Sequence, residues 1–324
     1  MDRRLPGLPA PRGGAGLLAS GHRLPDRHPA LPASPRRVRA GSPVLRFAPS
    51  PNGRLHLGHA YSALLNADLA RRMGGLCRLR IEDIDPVRSK PELVEAIVAD
   101  LAWLGLTFPE PVRHQSRHMG AYRALLDGLI GRGLAYPCFC SRGQIRAQAA
   151  AQAGHPHDPD GAPLYPGTCR GLDPAIVAER LAGNAPHTWR LDMEAALRRG
   201  GDRLGYTAFD RSGTQWVQAD PARWGDAVIA RRDVPTSYHL AVVHDDAEEG
   251  ITHVVRGQDL EAATDLHVLL QHRLDLPVPR YRHHRLILDP GGEKLAKSRA
   301  SQSLADLRAA GVTPEQIRAR LGFG

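Results

Sequence analysis

LRFAPSPNGRLHLGH, residues 45–59, sets an apolar lead-in, a proline bend and two histidines in a row. Val44–Phe47 reads as a short strand. Residues 58–73, GHAYSALLNADLARRM, have helical spacing, with Ala60, Leu64, Leu65 and Leu69 on one face. Pro49 and Pro51 stiffen the bend between them, and Gly53 and Gly58 let backbone approach a ligand closely. A helix that starts at a strand end offers free N–H groups and a positive dipole end to a phosphate. His56 and His59 sit at that start, where imidazole N–H donors can stabilise phosphate charge as it grows during displacement. Two plainer readings stand beside this one: a metal-ligand pair, or ordinary surface histidines.

Strand–helix alternation continues along the body. Leu76–Ile81 alternates arginine with apolar residues and reads as a second strand, after Gly74-Gly75 ends the first helix. Residues 90–105 and 117–132 are amphipathic helices. Residues 187–193, 226–232 and 251–256 read as strands and 259–274 as a helix. A strand-like run, Leu286–Leu288, precedes a polar Gly-rich loop at 289–300, and short helical patterns at 303–310 and 314–321 follow. The alternation argues an α/β fold, a Rossmann-type doubly wound parallel sheet.

The bulk numbers agree. At 324 residues and 42% hydrophobic content, the chain can build one large α/β domain or two smaller ones. No run of eighteen apolar residues exists, so no membrane-spanning helix is expected. The net charge of +9 is unevenly placed: residues 1–42 hold eight arginines and two aspartates, a net of +6, leaving +3 for the body. A mildly basic body is compatible with RNA without arguing for it. Residues 1–42, rich in Pro, Gly and Arg, have no apolar period and are expected to be a disordered extension. An inert extension, a targeting segment and an RNA-attracting tail all fit that composition.

Four cysteines in so long a chain do not make a disulfide framework. Cys138 and Cys140 flank Phe139, and Cys169 follows Tyr165 by four residues in a Pro/Gly-rich loop. Thiolates gathered this way suit tetrahedral Zn²⁺, and His155 and His157 lie in the same loop as possible donors. Buried reduced cysteines are the plainer alternative. Cys77, in the second strand, is most simply a core residue.

Far along the chain comes Glu293-Lys294-Leu295-Ala296-Lys297-Ser298. The chain has three lysines in all, and two stand in this one loop. A mobile flap closing ammonium groups over a triphosphate explains that placement better than a solvated face does. Together, Pro49–His59 and KLAKS resemble the two signatures of the class I aminoacyl-tRNA synthetases. RFAPSPNGRLHLGH, RIEDID at 80–85, SYHLA at 237–241 and VVRGQDL at 254–260 resemble the glutamyl and glutaminyl branch. The matches run over roughly 46–298.

The resemblance implies adenylation: a glutamate carboxylate attacks the α-phosphorus of ATP, with Mg²⁺ expected on the nucleotide. It implies Arg46, Ser50, Glu82, Tyr238 and Arg256 as glutamate contacts, His56, Gly58, His59 and Lys297 around ATP, and Lys294 with Lys297 over the leaving group. Cys138, Cys140, Tyr165 and Cys169 are implied as zinc ligands in an insertion at about 136–171. The residue types suit these roles. Arginine forks pair with carboxylates, Glu82 suits an ammonium, and an amide in place of a carboxylate would leave a buried charge unpaired, at ~2–5 kcal/mol. One departure stands at Val242, where the glutamyl enzymes commonly have asparagine.

Only 26 residues follow Ser298. The expected organisation is therefore an extension at 1–42, a catalytic domain at 43–298 and a short helical segment at 299–324, with no anticodon-binding domain. That pattern resembles the glutamyl-queuosine tRNA(Asp) synthetase family, which places glutamate on queuosine at the wobble position of tRNA-Asp. It implies tRNA-independent activation, an anticodon stem-loop as partner, and a cytoplasmic monomer. Rival readings are a truncated glutamyl-tRNA synthetase charging the 3′ end, a small nucleotidyltransferase with the same histidine signature, and a non-enzymatic zinc RNA-binding module.

Overall fold

A computed structural model describes residues 41–198, 203–288 and 302–323. Lys294 and Lys297, and nearly all of residues 1–42, lie outside the described residues. The described strands are β1 (Val44–Phe47), β2 (Leu76–Ile81), β3 (Arg113–His114), β4 (Ala135–Cys138), β5 (Thr188–Leu191), β6 (Gly205–Phe209), β7 (Thr214–Gln218), β8 (Val228–Ala230), β9 (His253–Gly257) and β10 (Arg280–His284). The described helices are α1 (Leu57–Arg72), α2 (Pro91–Trp103), α3 (Met119–Gly131), α4 (Arg142–Ala150), α5 (Pro174–Ala182), α6 (Met193–Arg198), α7 (Tyr238–Glu248), α8 (Ala263–Arg273), α9 (Leu304–Ala309) and α10 (Pro314–Leu321).

The sheet has two parallel halves. In one, β1 pairs with β2 and β2 with β3. In the other, β10 lies between β9 and β6, parallel to both, and β7 adds an antiparallel edge to β6. The halves meet where β1 runs beside β9. Thr252 ties them at one end: its N–H donates to Val44 O at 2.9 Å, and its Oγ1 accepts from Val44 N–H at 2.8 Å. Further along, a side chain replaces the ladder. Asn66 of α1, fully buried, donates from Nδ2 to Val255 O of β9 at 3.1 Å and to Ser62 O at 2.9 Å. The strands part there, and the loops after β1 and β9 open onto a crevice, the switch point where open α/β sheets bind ligands.

Helices cover both faces. Leu64, Ala60 and Leu57 of α1 pack with Ile97 and Leu101 of α2 and with Leu304, Ile317 and Leu321 of α9 and α10. Leu240, Val242 and Val243 of α7 join Leu266 and Leu269 of α8 in a second cluster. Val242, the departure from the glutamyl pattern, is thus a core residue, 1% exposed. A small antiparallel sheet, β4-β5-β8, carries Cys138 at its rim.

Two expectations need correction. Leu286 and Ile287 are not in a strand; they line the crevice just past β10, and the strand is the polar RYRHH before them, whose Tyr281 and His284 turn inward. The 259–274 helix starts at Ala263, because Gln258–Leu260 forms a separate tight turn. The β6–β7 hairpin and α7 were not anticipated as elements. Replacing Asn66 with leucine would leave Val255 O without its side-chain partner. Urea denaturation of Asn66→Leu should show a loss of about 1–3 kcal/mol at an unchanged m-value; an unchanged midpoint would mean the strands do not need this bridge.

Candidate active site

The crevice is a cavity of about 680 Å³. It gathers eight of the residues singled out from the sequence: Arg46, Ser50, His56, Gly58, His59, Glu82, Tyr238 and Arg256 all line it. They come from the ends of β1, β2 and β9 and the first turns of α1 and α7.

The two histidines are held by the helix they begin. His56 is the N-cap of α1, and its Nδ1 accepts from Gly58 N–H at 3.1 Å. His59 Nδ1 accepts from His56 N–H at 3.2 Å, and the rings lie 3.9 Å apart between centroids. Each Nδ1 is an acceptor from backbone, so each neutral ring carries its proton on Nε2. The capping geometry therefore sets both imidazoles as Nε2–H donors. Gly58 has a local reason too: a Cβ there would lie 3.0 Å from His56 Cε1, so a larger residue would crowd the capping ring.

The guanidiniums are anchored from behind. Arg46, 4% exposed, donates from Nε to Asp246 Oδ1 at 3.1 Å. Arg80, fully buried, donates to the same oxygen and to Glu249 at 2.7 Å. Burial works against the charge on both arginines, yet Asp246 beside them raises their pKa above the ordinary value. Arg256 donates from Nη1 to Tyr238 Oη at 3.2 Å and from Nη2 to Thr264 Oγ1 at 2.8 Å. Glu82 has its side chain 8% exposed, and its ion-pair partner among the described residues is Arg80, whose Nη1 lies at the long distance of 3.9 Å. Burial outweighs the nearby arginines and pushes its carboxyl up to about 7. A cation arriving beside it would restore the charge.

The cysteine cluster lies at the rim of the small sheet. The sulfurs of Cys138, Cys140 and Cys169 all fall within 4.8 Å of one another. Cys140 Sγ is 3.6 Å from Cys169 Sγ and 3.5 Å from Tyr165 Oη. A tetrahedral zinc with bonds of about 2.3 Å to sulfur and 2.0 Å to oxygen sets those edges at about 3.8 and 3.5 Å. The donor set and spacing fit such an ion. His155 does not: its Nε2 meets Leu164 O at 2.8 Å and its Nδ1 meets Gln152 at 3.2 Å. His157 is exposed. Cys77 stays apart in the core, its thiol pushed up to about 12 by burial.

A sequence model of the tRNA synthetases class I (E and Q) catalytic domain matches residues 44–323. The chain belongs to the class I tRNA synthetases (E and Q). Within this synthetase family, the Glutamyl-Q tRNA(Asp) synthetase of Rhodobacter capsulatus is 45% identical over 86% of this chain and 100% of that protein. Glutamate–tRNA ligase 2 of Nitrosococcus oceani is 39% identical, over 86% of this chain but 58% of that protein. Among solved structures, the glutamate–tRNA synthetase of Elizabethkingia anophelis superposes with a TM-score of 0.66 at 29% identity, over 79% of this chain and 53% of that one.

Sequence reasoning missed what stands behind this synthetase crevice. Asp246 and Asp245, which no sequence motif singled out, sit on α7, and both are buried. Asp245 accepts from Gln115 Nε2, Tyr122 Oη and Arg113 Nε, each at 2.8 Å. Burial alone would raise its carboxyl; His244, Arg80, Gln115 and Arg113 together hold it down at about 2. A folded value below the unfolded 3.8 means stabilisation that is complete above 3.8 and lost as the pH falls towards 2. The difference corresponds to about 2 kcal/mol. Asp245→Asn should lose at least that much at pH 7, and its deficit against the parent should shrink steadily in acid; denaturant titrations across that range would show it, and a pH-independent deficit would contradict it.

Proposed function

We propose that this chain activates glutamate with ATP, without tRNA, and transfers it to queuosine at the wobble position of tRNA-Asp. The observation that carries the glutamate reading is the single crevice holding two anchored arginines, one buried carboxyl and the imidazole pair. A dicarboxylic amino acid has two anions for Arg46 and Arg256 and one ammonium for Glu82, with the hydroxyls of Tyr238 and Ser50 beside them. The name carried by the Rhodobacter capsulatus protein, which the chain matches along its whole length, supports queuosine as the acceptor.

In the first step an α-carboxylate oxygen of glutamate attacks the α-phosphorus of ATP. The bond from that phosphorus to the bridging oxygen breaks, and pyrophosphate leaves with the electron pair. His56 and His59 donate Nε2–H bonds to the phosphates, and Lys294 with Lys297 covers the leaving group. Mg²⁺ bound with ATP would neutralise further phosphate charge. No side chain acts as nucleophile, so positioning and electrostatics carry the rate. In the second step a hydroxyl of the cyclopentene-diol attacks the mixed anhydride, AMP leaves, and the adenylate phosphate takes the proton.

A second cavity of about 790 Å³ supports an entry for the nucleic acid. It shares Ser50, Asn52, Glu82 and Tyr238 with the first and is also lined by Arg142, Arg190 and Arg232 beside Cys140, and by Arg231, which is paired with Asp85 and Asp233. Guanidiniums around an opening next to the reacting carbonyl suit phosphates of an incoming RNA loop. Zinc bound by Cys138, Cys140, Tyr165 and Cys169 would tie the β4 rim to the loop that follows it and so shape this wall.

Incubation with labelled glutamate, ATP and Mg²⁺ should drive pyrophosphate exchange without tRNA. Label should then appear on tRNA-Asp containing queuosine, in the anticodon loop, and not on the same tRNA lacking it. Label at the 3′ end would favour the glutamyl-tRNA synthetase reading, and no exchange would sink the reading altogether. Cys138→Ser should release zinc, measured by metal analysis of the purified protein. It should impair transfer more than exchange, whereas full zinc retention would remove Cys138 from the ligand set.

A further inference from the structure

Behind Arg256 stands a chain of imidazoles, buried His267 and partly buried His239, that the proposed chemistry does not use. Arg256 Nη1 lies 3.2 Å from His267 Nδ1, and His267 Nε2 lies 3.1 Å from His239 Nδ1. Guanidinium nitrogens only donate, so His267 Nδ1 is an acceptor and its proton sits on Nε2. That N–H donates to His239 Nδ1, which leaves the His239 proton on its own Nε2. One tautomer of each ring follows from the arginine alone. The other nitrogen of the fork is treated alike. Thr264 Oγ1 accepts from Arg256 Nη2 and lies within hydrogen-bond distance of His283 Nε2, at 2.9 Å.

Both hydrogens of Nη1 are thereby assigned, one to Tyr238 Oη and one to His267. The rings of Tyr238, His239 and His267 pack mutually, with centroids 5.3–5.5 Å apart. Rotation of the guanidinium would break bonds to α7 and α8 together. Burial, with the nearby Arg256 charge, keeps His239 down at about 4 and His267 well below its ordinary value, so the acceptors stay neutral at physiological pH. His239 also lines the second cavity, so the same chain runs from one cavity wall to the other.

We propose that His267, with His239 behind it, is a positioning residue that fixes Arg256 and Tyr238 in the orientation that receives a carboxylate of the amino acid. This rests on the glutamate reading of the crevice. The geometry separates two amide replacements. Asparagine at 267 can put its oxygen near the Nδ1 position and accept from Arg256. Glutamine reaches instead towards the Nε2 position and can keep only the contact to His239.

The test is glutamate-dependent pyrophosphate exchange by the full chain with His267→Leu, His267→Asn and His267→Gln. For the leucine and glutamine variants the glutamate KM should rise roughly 10- to 100-fold, the loss of one charge-assisted bond, with the ATP KM unchanged. Asparagine should recover most of that loss, and the preference for glutamate over glutamine should fall in the variants that cannot accept. Should leucine prevent folding, the asparagine–glutamine pair still decides. Equal behaviour of those two, or a rise in both KM values together, would overturn the proposal. A wild-type chain inactive with glutamate would instead remove the reading beneath it.

Discussion

One buried carboxylate organises the crevice. Asp246 is shared by Arg46 on β1 and Arg80 on β2, and it is carried by α7. Charges taken out of water cost several kcal/mol each unless well paired. Two guanidiniums at the end of a parallel sheet therefore need an anion below them, and α7 can supply it only in one register against the strands. The same helix puts Tyr238 at its first turn on the crevice and Val242 and Val243 into the core. The core packing and the placing of Arg46 are thus one constraint. A helix shifted by a residue would bury an acid without a partner and expose a valine.

The parting of the strands follows a similar logic. Parallel strands hide their backbone polar groups in ladders, and a crevice between β1 and β9 breaks that pairing. Thr252 and Asn66 satisfy the freed groups from side chains. The gap is therefore affordable, and the loops after both strands reach the same space. At the other wall, Ser303 pairs with His56 and Leu304 N–H bonds Leu55 O at 2.8 Å, so the segment bearing α9 and α10 holds the histidine turn in place.

Much of this was legible in the chain itself. The apolar period of α1, the short strands at 44–47 and 76–81, and α10 at 314–321 were read almost to the residue, because local pattern and burial agree there. Eight of the residues singled out from the sequence fell into one cavity because their motifs lie at strand ends. The unread parts are those where burial is set by partners distant in sequence. RYRHH looks like a solvated run, and only the neighbours β9 and β6 make it a central strand. Asp245 and Asp246 look like a helix's wet face until Arg46, Arg80 and Arg113 are seen around them. His267 carries no motif, and its meaning comes only from the guanidinium 3.2 Å away.

Charge balance links these parts to substrate choice. On the proposed reading the crevice sets Arg46, Arg80 and Arg256 against Asp246 and Glu249, with Glu82 poised by burial near neutrality at about 7. The crevice's own side chains are then short of negative charge. Glutamate brings two carboxylates and an ammonium, and the ammonium makes ionised Glu82 favourable. Glutamine brings one carboxylate, so one arginine fork would keep its charge with no anion in front of it. Arg256 is the fork whose other partners are all neutral: Tyr238, Thr264 and His267. Arg46 already shares Asp246. On that reading the missing anion would be felt most at Arg256, which would make it the guanidinium that discriminates and Arg46 the one that holds what both amino acids have in common.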